Sequence, residues 1–222
     1  FVGTAEQKER VEKGTQVINH SYELDITATR TFNARWSVGV TLPIMSSGRS
    51  SLYEHDGLTR HNTHSFGIGD LRVSAYRWMF DPAKSHKGNL QLGLGIKLPT
   101  GVYNYQDYFY KKADSSILGP VDQSIQPGDG GTGLTVELNS YYNFNHHLGA
   151  YGSFFYLINP REVNGTSTTR GSAASATAKK YNTDVMSVPD LFMARAGLSY
   201  MTGHLTFSGG IRTEGLPSKD LI

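Results

Sequence analysis

The chain has 222 residues, 25 of them glycine, 13 tyrosine and 10 phenylalanine, with 18% charged residues, a net charge of +2 and no cysteine. The lack of cysteine excludes a disulfide scaffold, thiolate zinc sites and cysteine nucleophiles, and the small net charge carries no field that points to nucleic acid or acidic lipid. No apolar run approaches the ~18 to 20 residues of a spanning helix, which excludes a helical membrane protein but not a barrel of alternating strands.

In chain order, "FVGTAEQKER" reads as a strand end at Phe1-Val2 entering a loop, and "EQKERVEK" as a solvated charge run with one helical turn. No signal peptide is visible, so residues 1–222 are expected to be a single β-barrel domain, incomplete at both ends. Eight segments then alternate with period two, the signature of strands. In the first, Ile18, Tyr22, Leu24, Ile26 and Ala28 oppose Asn19, Ser21, Glu23, Asp25 and Thr27. "WSVGVTLPI" sets Trp36, Val38, Val40, Leu42 and Ile44 against Ser37, Gly39 and Thr41, and "GDLRVSAYRWMF" sets Leu71, Val73 and Ala75 against Arg72 and Ser74. In "NLQLGLGIKLPTG" every second residue from Leu90 to Leu98 is a large aliphatic. "GLTVELNSYYNF" follows the same rule, whereas "LGAYGSFFYLI" has two partly apolar faces and leaves its orientation open. "LFMARAGLSYM" and "HLTFSGGIRTE" complete the set. No helical period competes, so the chain is all-β.

The connections carry more information than the strands. Short links ("NAR", "DPAKSHKG", "NHH", "TG") alternate with long ones at 46–65, 102–131 and 159–188, roughly twenty, thirty and thirty residues. In an up-and-down meander this puts every tight turn at one end and every long loop at the other, as in outer-membrane barrels. Phe32, Trp36, Trp78, Phe80, Phe144 and Tyr200 cluster beside the short turns, which reads as an interfacial girdle. The competing reading is a soluble sandwich with the aliphatic stripes inside. It is disfavoured because the polar stripes are Gly, Ser, Thr and Asn with scattered charges, not the Lys and Glu of a watered face. The expected fold is therefore an up-and-down antiparallel transmembrane β-barrel of about 10 to 14 strands, eight of them readable, with short periplasmic turns and long extracellular loops.

Three stretches, "GIGDLRVSAYRWMF", "GNLQLGLGIKLPTG" and "VDQSIQPGDGGTGLTVELNSYYNF", together resemble the outer-membrane β-barrel family of transporters of the phenol-degradation meta-pathway type. The resemblance rests on residues 67–70, 95–101 and 126–130 and covers roughly residues 66–144. It implies a bacterial outer-membrane location and passage of small, often hydrophobic or aromatic compounds.

Candidate site residues follow from the inward stripes. Glu23, Asp25, Arg72, Lys97, Glu137, Arg195 and Arg212 are expected to line the pore, either tuning selectivity or pairing to close it. Tyr103, Tyr105, Tyr108, Phe109 and Tyr110 form a candidate constriction loop, against the plainer reading of rings packed in a strand extension outside the membrane. His55, His61 and His64, with Asp56 beside them, are weak metal candidates because their spacing is not held on a helix. "GTSTTRGSAASATAKK" reads as a mobile low-complexity segment. The expected function is passive passage of a small-molecule solute across outer-membrane lipid, without enzymatic activity, cofactor or nucleic-acid partner. A non-conducting barrel docking other outer-membrane proteins through its loops, and an outer-rim enzyme, are the alternatives.

Overall fold

A computed structural model describes residues 7–112 and 114–217. The strand end expected at Phe1-Val2 lies outside the described residues; the charge run yields a short helix, α1 (Gln7–Glu12). The wall is built from β1 (Ile18–Thr31), β2 (Trp36–Ser51), β3 (His61–Ile68), β4 (Leu71–Trp78) and β5 (Gly88–Leu98). After a ribbon of β6 (Gln106–Lys112) and β7 (Ser115–Pro120), it continues through β8 (Gly133–Asn143) and β9 (Leu148–Ile158). A second ribbon, β10 (Val163–Ser167) with β11 (Val185–Ser187), precedes β12 (Leu191–Thr202) and β13 (Leu205–Gly215). The main sheet runs β1-β2-β4-β5-β8-β9-β12-β13, antiparallel throughout, and curls into a half-barrel.

β3 and β4 are one strand broken by a bulge. β2 pairs with β3 as far as Ile44↔Ile68 and with β4 from Thr41↔Arg72, so one extra residue on the β3–β4 side falls around Gly69 and Asp70. A bulge bends its strand and re-aims the side chain it carries; here that side chain is Asp70.

The register confirms that the two stripes occupy opposite faces. Val40, Val73, Ile96, Leu134 and Ile158 are successive cross-strand partners on one face. Gly39, Ser74, Gly95, Thr135, Leu157 and Leu191 are partners on the other. The aliphatic face is bare: Leu94 is 67% exposed and Ile211 79%, while Lys97 on the opposite face is 4% exposed and Thr135 1%. The buried face is the concave one, because Arg72 of β4 reaches the Phe155 ring of β9 across it. Register also settles the segment with two apolar faces: Phe155 and Leu157 are buried inward, Phe154 points out.

The loops depart from expectation in the same way each time: more of each is regular. β2 and β3 pair as far as Ser51↔His61, leaving nine residues, 52–60, as the first long loop rather than about twenty. The Tyr-rich stretch is not a continuation of β5 and β8 but the separate ribbon β6–β7. The low-complexity stretch holds the end of β10 and a short helix, α2 (Ala176–Lys180), whose Ser175 hydroxyl accepts the Ala178 N–H at 3.0 Å. That cap satisfies one of the donors a helix start leaves unpaired. The packed apolar core, Phe109, Val121, Ile125, Met186 and Val188, lies in this loop layer, with Phe155 and Leu157 on the wall beneath it.

Candidate functional site beneath the loop layer

The tight-turn half of the concave face is filled by its own side chains. Tyr76 lies so close over Gly93 that a Cβ there would meet its ring at 2.7 Å. Its hydroxyl donates to both oxygens of Glu137 at 3.1 Å, and Ser74 donates to the same carboxylate at 3.2 Å. Arg195 stacks over Tyr151 at 5.4 Å. The loop half is different. There a cavity of about 340 Å³ opens between the wall and the loop that follows β7, lined by Pro43, Arg72 and Phe155 from the wall and by Gln126, Pro127 and Asp129 from the loop.

What holds the loop in place is a clasp at the β3–β4 bulge. Asp70 Oδ1 accepts the Gly101 N–H at 2.9 Å, and Asp70 Oδ2 accepts the Asp129 N–H at 3.1 Å and a proton of Lys97 Nζ at 3.3 Å. Lys97 also donates to the Asp129 carboxylate. Thr100 joins the two sides of the bulge, donating to Gly69 O at 3.1 Å and accepting from Leu71 N–H at 2.8 Å. At Gly128 the loop passes so close to Gly101 that a Cβ would meet its backbone at 2.7 Å. Burial raises the Asp129 carboxyl above its ordinary value even against the pull of Lys97. Desolvation therefore consumes much of the Coulomb attraction, and the clasp acts more to specify where the loop sits than to add stability.

A second set of charges ties the outer loops together. Arg49 grips Glu54 with two nitrogens, at 2.9 and 3.1 Å, and reaches Asp122 at 3.3 Å. Arg170 lies 3.9 Å from Glu54 and its guanidinium sits 3.9 Å above the Phe109 ring. Three loops far apart in sequence are thereby joined.

The seven charged residues expected to line a pore all fall on the concave face, and they are mostly paired. Arg72 meets Asp25 at 3.6 Å, Arg212 pairs with Glu214, and Lys97 and Glu137 are engaged as described. Glu23 and Arg72 both line the cavity. The arrangement is a mixed-sign network rather than a ring of one sign.

The aromatic stretch sits elsewhere than a constriction would. Phe109 is fully buried under Arg170, Tyr110 stacks on His61 at 4.4 Å, and Tyr103 covers Gly130. Tyr105 binds Gln126 through its backbone at 2.8 Å, and Tyr108 is exposed. Residues 123–129 reach the cavity in their place, because the β6–β7 ribbon folds back on β3, where Asp107 accepts the His64 N–H at 2.7 Å. The histidines do not converge: His64 is on the outer face, His55 packs between His61 and Phe109, and Asp56 accepts the N–H groups of Leu58 and Thr59. Among the described residues no group of three such side chains is placed to hold a metal ion. Arg49 and Asp122 carry no signal in the sequence, and Asp70 and Asp129 lie within the motifs at 67–70 and 126–130 that carry the resemblance, with no role assigned to them there. The Gly-rich setting of those two motifs reads as turn chemistry, which says nothing of a clasp.

Compared with known proteins, the chain matches no family model and no curated protein.

Proposed function

We propose that this chain forms the wall of a bacterial outer-membrane β-barrel that lets small, apolar or aromatic molecules cross passively, without covalent chemistry or a cofactor. One observation carries the reading: the large aliphatic side chains cover the convex face while Lys97, Thr135 and Ser74 are buried on the concave one. In water such a face would be a continuous apolar patch far beyond what a monomer ordinarily exposes; against acyl chains it is the low-energy arrangement. The lopsided connections and the exposed rings beside the tight turns, Phe32, Trp36, Phe144 and Tyr200 among them, agree with it. Among the described residues β1 and β13 are free edges, and closure with further strands would bring the total to about ten to fourteen. The three stretches that carry the family resemblance meet at the Asp70 clasp.

A cavity of about 340 Å³ suits a solute of a few carbon rings at most, and the seated loop keeps the resting passage narrow. Purified protein in planar bilayers should give small, discrete conductance steps. Leu94→Arg should impair insertion by about 2 to 4 kcal/mol if the residue faces the bilayer midplane, but by less than about 0.5 kcal/mol if it faces water. A protein that is monodisperse without detergent and indifferent to Leu94→Arg overturns the reading. An inserted barrel that stays silent even when the clasp is broken favours the docking alternative.

A further inference from the structure

The small net charge hides a strong asymmetry along the barrel axis. The four tight turns and the strand ends that bound them carry Arg30, Arg35, Arg77, Lys84 and Lys87 against the single carboxylate Asp81. All five cations are exposed, and Asp81 accepts the Ala83 N–H of its own turn at 3.0 Å. Four of the eight histidines, His86, His146, His147 and His204, share this end. The long loops 52–60, 99–132 and 159–190 hold nine carboxylates against seven cations.

Three of these cations are set against outward aromatic rings at the border of the aliphatic face. Arg30 lies over Phe32 at 5.9 Å, Arg77 over Trp36 at 5.4 Å and Lys87 over Tyr142 at 5.6 Å. A ring under the stem and a charged head beyond it is how a cation reaches the headgroup level of a bilayer. Beside Lys87 the turns also frame a crevice of about 460 Å³, lined by His86, Asn143, Asn145 and His146, which supplies further hydrogen-bonding groups. We infer that the tight-turn end is a belt that engages the phosphates of negatively charged phospholipids in the adjoining leaflet. The inference rests on the proposed membrane orientation and adds to it the identity of the lipid partner. Opposite charge at this border attracts basic side chains within about a Debye length of the headgroups.

The chain supplies its own reporter: of its two tryptophans, both at this end, Trp36 stands on the convex face, whereas Trp78 points inward against Tyr141 and is replaced by phenylalanine for the measurement. The full chain is reconstituted in bilayers of equal parts phosphatidylcholine and phosphatidylglycerol, with one or the other brominated to quench tryptophan fluorescence. Brominated phosphatidylglycerol should quench in preference, by at least about fivefold in relative affinity, the effect of one basic residue near an anionic surface. The preference should fall towards unity in 0.5 M salt and in the triple variant Arg30→Gln, Arg77→Gln, Lys87→Gln. It should persist in Lys179→Gln, Lys180→Gln, which removes two exposed charges from the loop end. The salt titration of the unaltered protein decides the matter if the triple variant does not fold. Equal quenching by the two lipids overturns the belt and leaves the membrane reading standing, whereas quenching by neither overturns the membrane reading itself.

Discussion

The Arg72 guanidinium of β4 stands 5.5 Å from the centre of the Phe155 ring of β9, with β5 and β8 between their strands in the sheet. Three strand steps of a flat sheet would separate them by roughly 14 Å, so this contact is a chord across a tightly curled wall. An interior spanned by two side chains leaves little room, and a loop tucked into it controls what remains. Passage therefore depends on what holds residues 121–131, and the predictions begin there.

Replacing Lys97 with methionine leaves the Asp70 and Asp129 carboxylates facing each other without a cation. Removing one partner of a buried pair costs about 3 kcal/mol, here charged against the seating of the loop and not against the sheet. Residues 121–131 should become open to limited proteolysis, and the conductance of the reconstituted barrel should rise. Asp129→Asn, which keeps a hydrogen-bond acceptor for Lys97, should show the same changes to a smaller degree.

Gly128 tests the seating without touching a charge. A methyl at this position would meet the Gly101 carbonyl carbon at 2.7 Å and its Cα at 2.8 Å, and backbone cannot swing aside as a side chain can. Gly128→Ala should mimic Lys97→Met in proteolysis, with a cost of about 1 to 3 kcal/mol. Gly209→Ala, where no atom lies within 4 Å, should leave both proteolysis and insertion unchanged.

His55 gives the loop layer a pH dependence of defined sign. Its Nδ1 accepts the Tyr110 N–H at 3.1 Å, a bond only the neutral ring can make, and burial, followed by the nearness of His61, lowers the ring below its ordinary value of 6.5. With the folded value depressed, the opened loop binds the proton more readily. The loop is fully stable above pH 6.5 and loses stability as pH falls from there towards the folded value. The hydrogen-exchange protection factor of the Tyr110 amide should drop between pH 7.5 and 5.5. In His55→Gln, whose side-chain oxygen does not titrate, that drop should vanish.

Legibility followed the range of the interactions. The strands of the wall, their faces and the alternation of turns and loops were readable because period-two patterning and turn residues are local properties. The β9 segment resisted, since both its stripes are partly apolar, and only pairing of Thr135 with Leu157 told them apart. The extent of β3 was missed because its polar residues, Thr63 and Ser65 among them, are buried by loop residues far along the chain, as when Ser65 donates to the Ile125 carbonyl. Composition alone makes the aromatic stretch 103–110 a candidate constriction, and composition says nothing about which way a ribbon folds.

Alternation along each strand was enough to place Glu23, Arg72, Lys97 and Glu137 on one face, because a side chain's side of the sheet is decided by its own position in the strand. Their partners were decided only by the tertiary structure. Asp70 is aimed by a bulge that exists through the mismatch between β2 and two other strands, and Asp129 arrives on a loop that must first fold back over the wall. Contacts between residues 27 to 59 positions apart depend on curvature and loop closure, which no stretch of chain encodes alone.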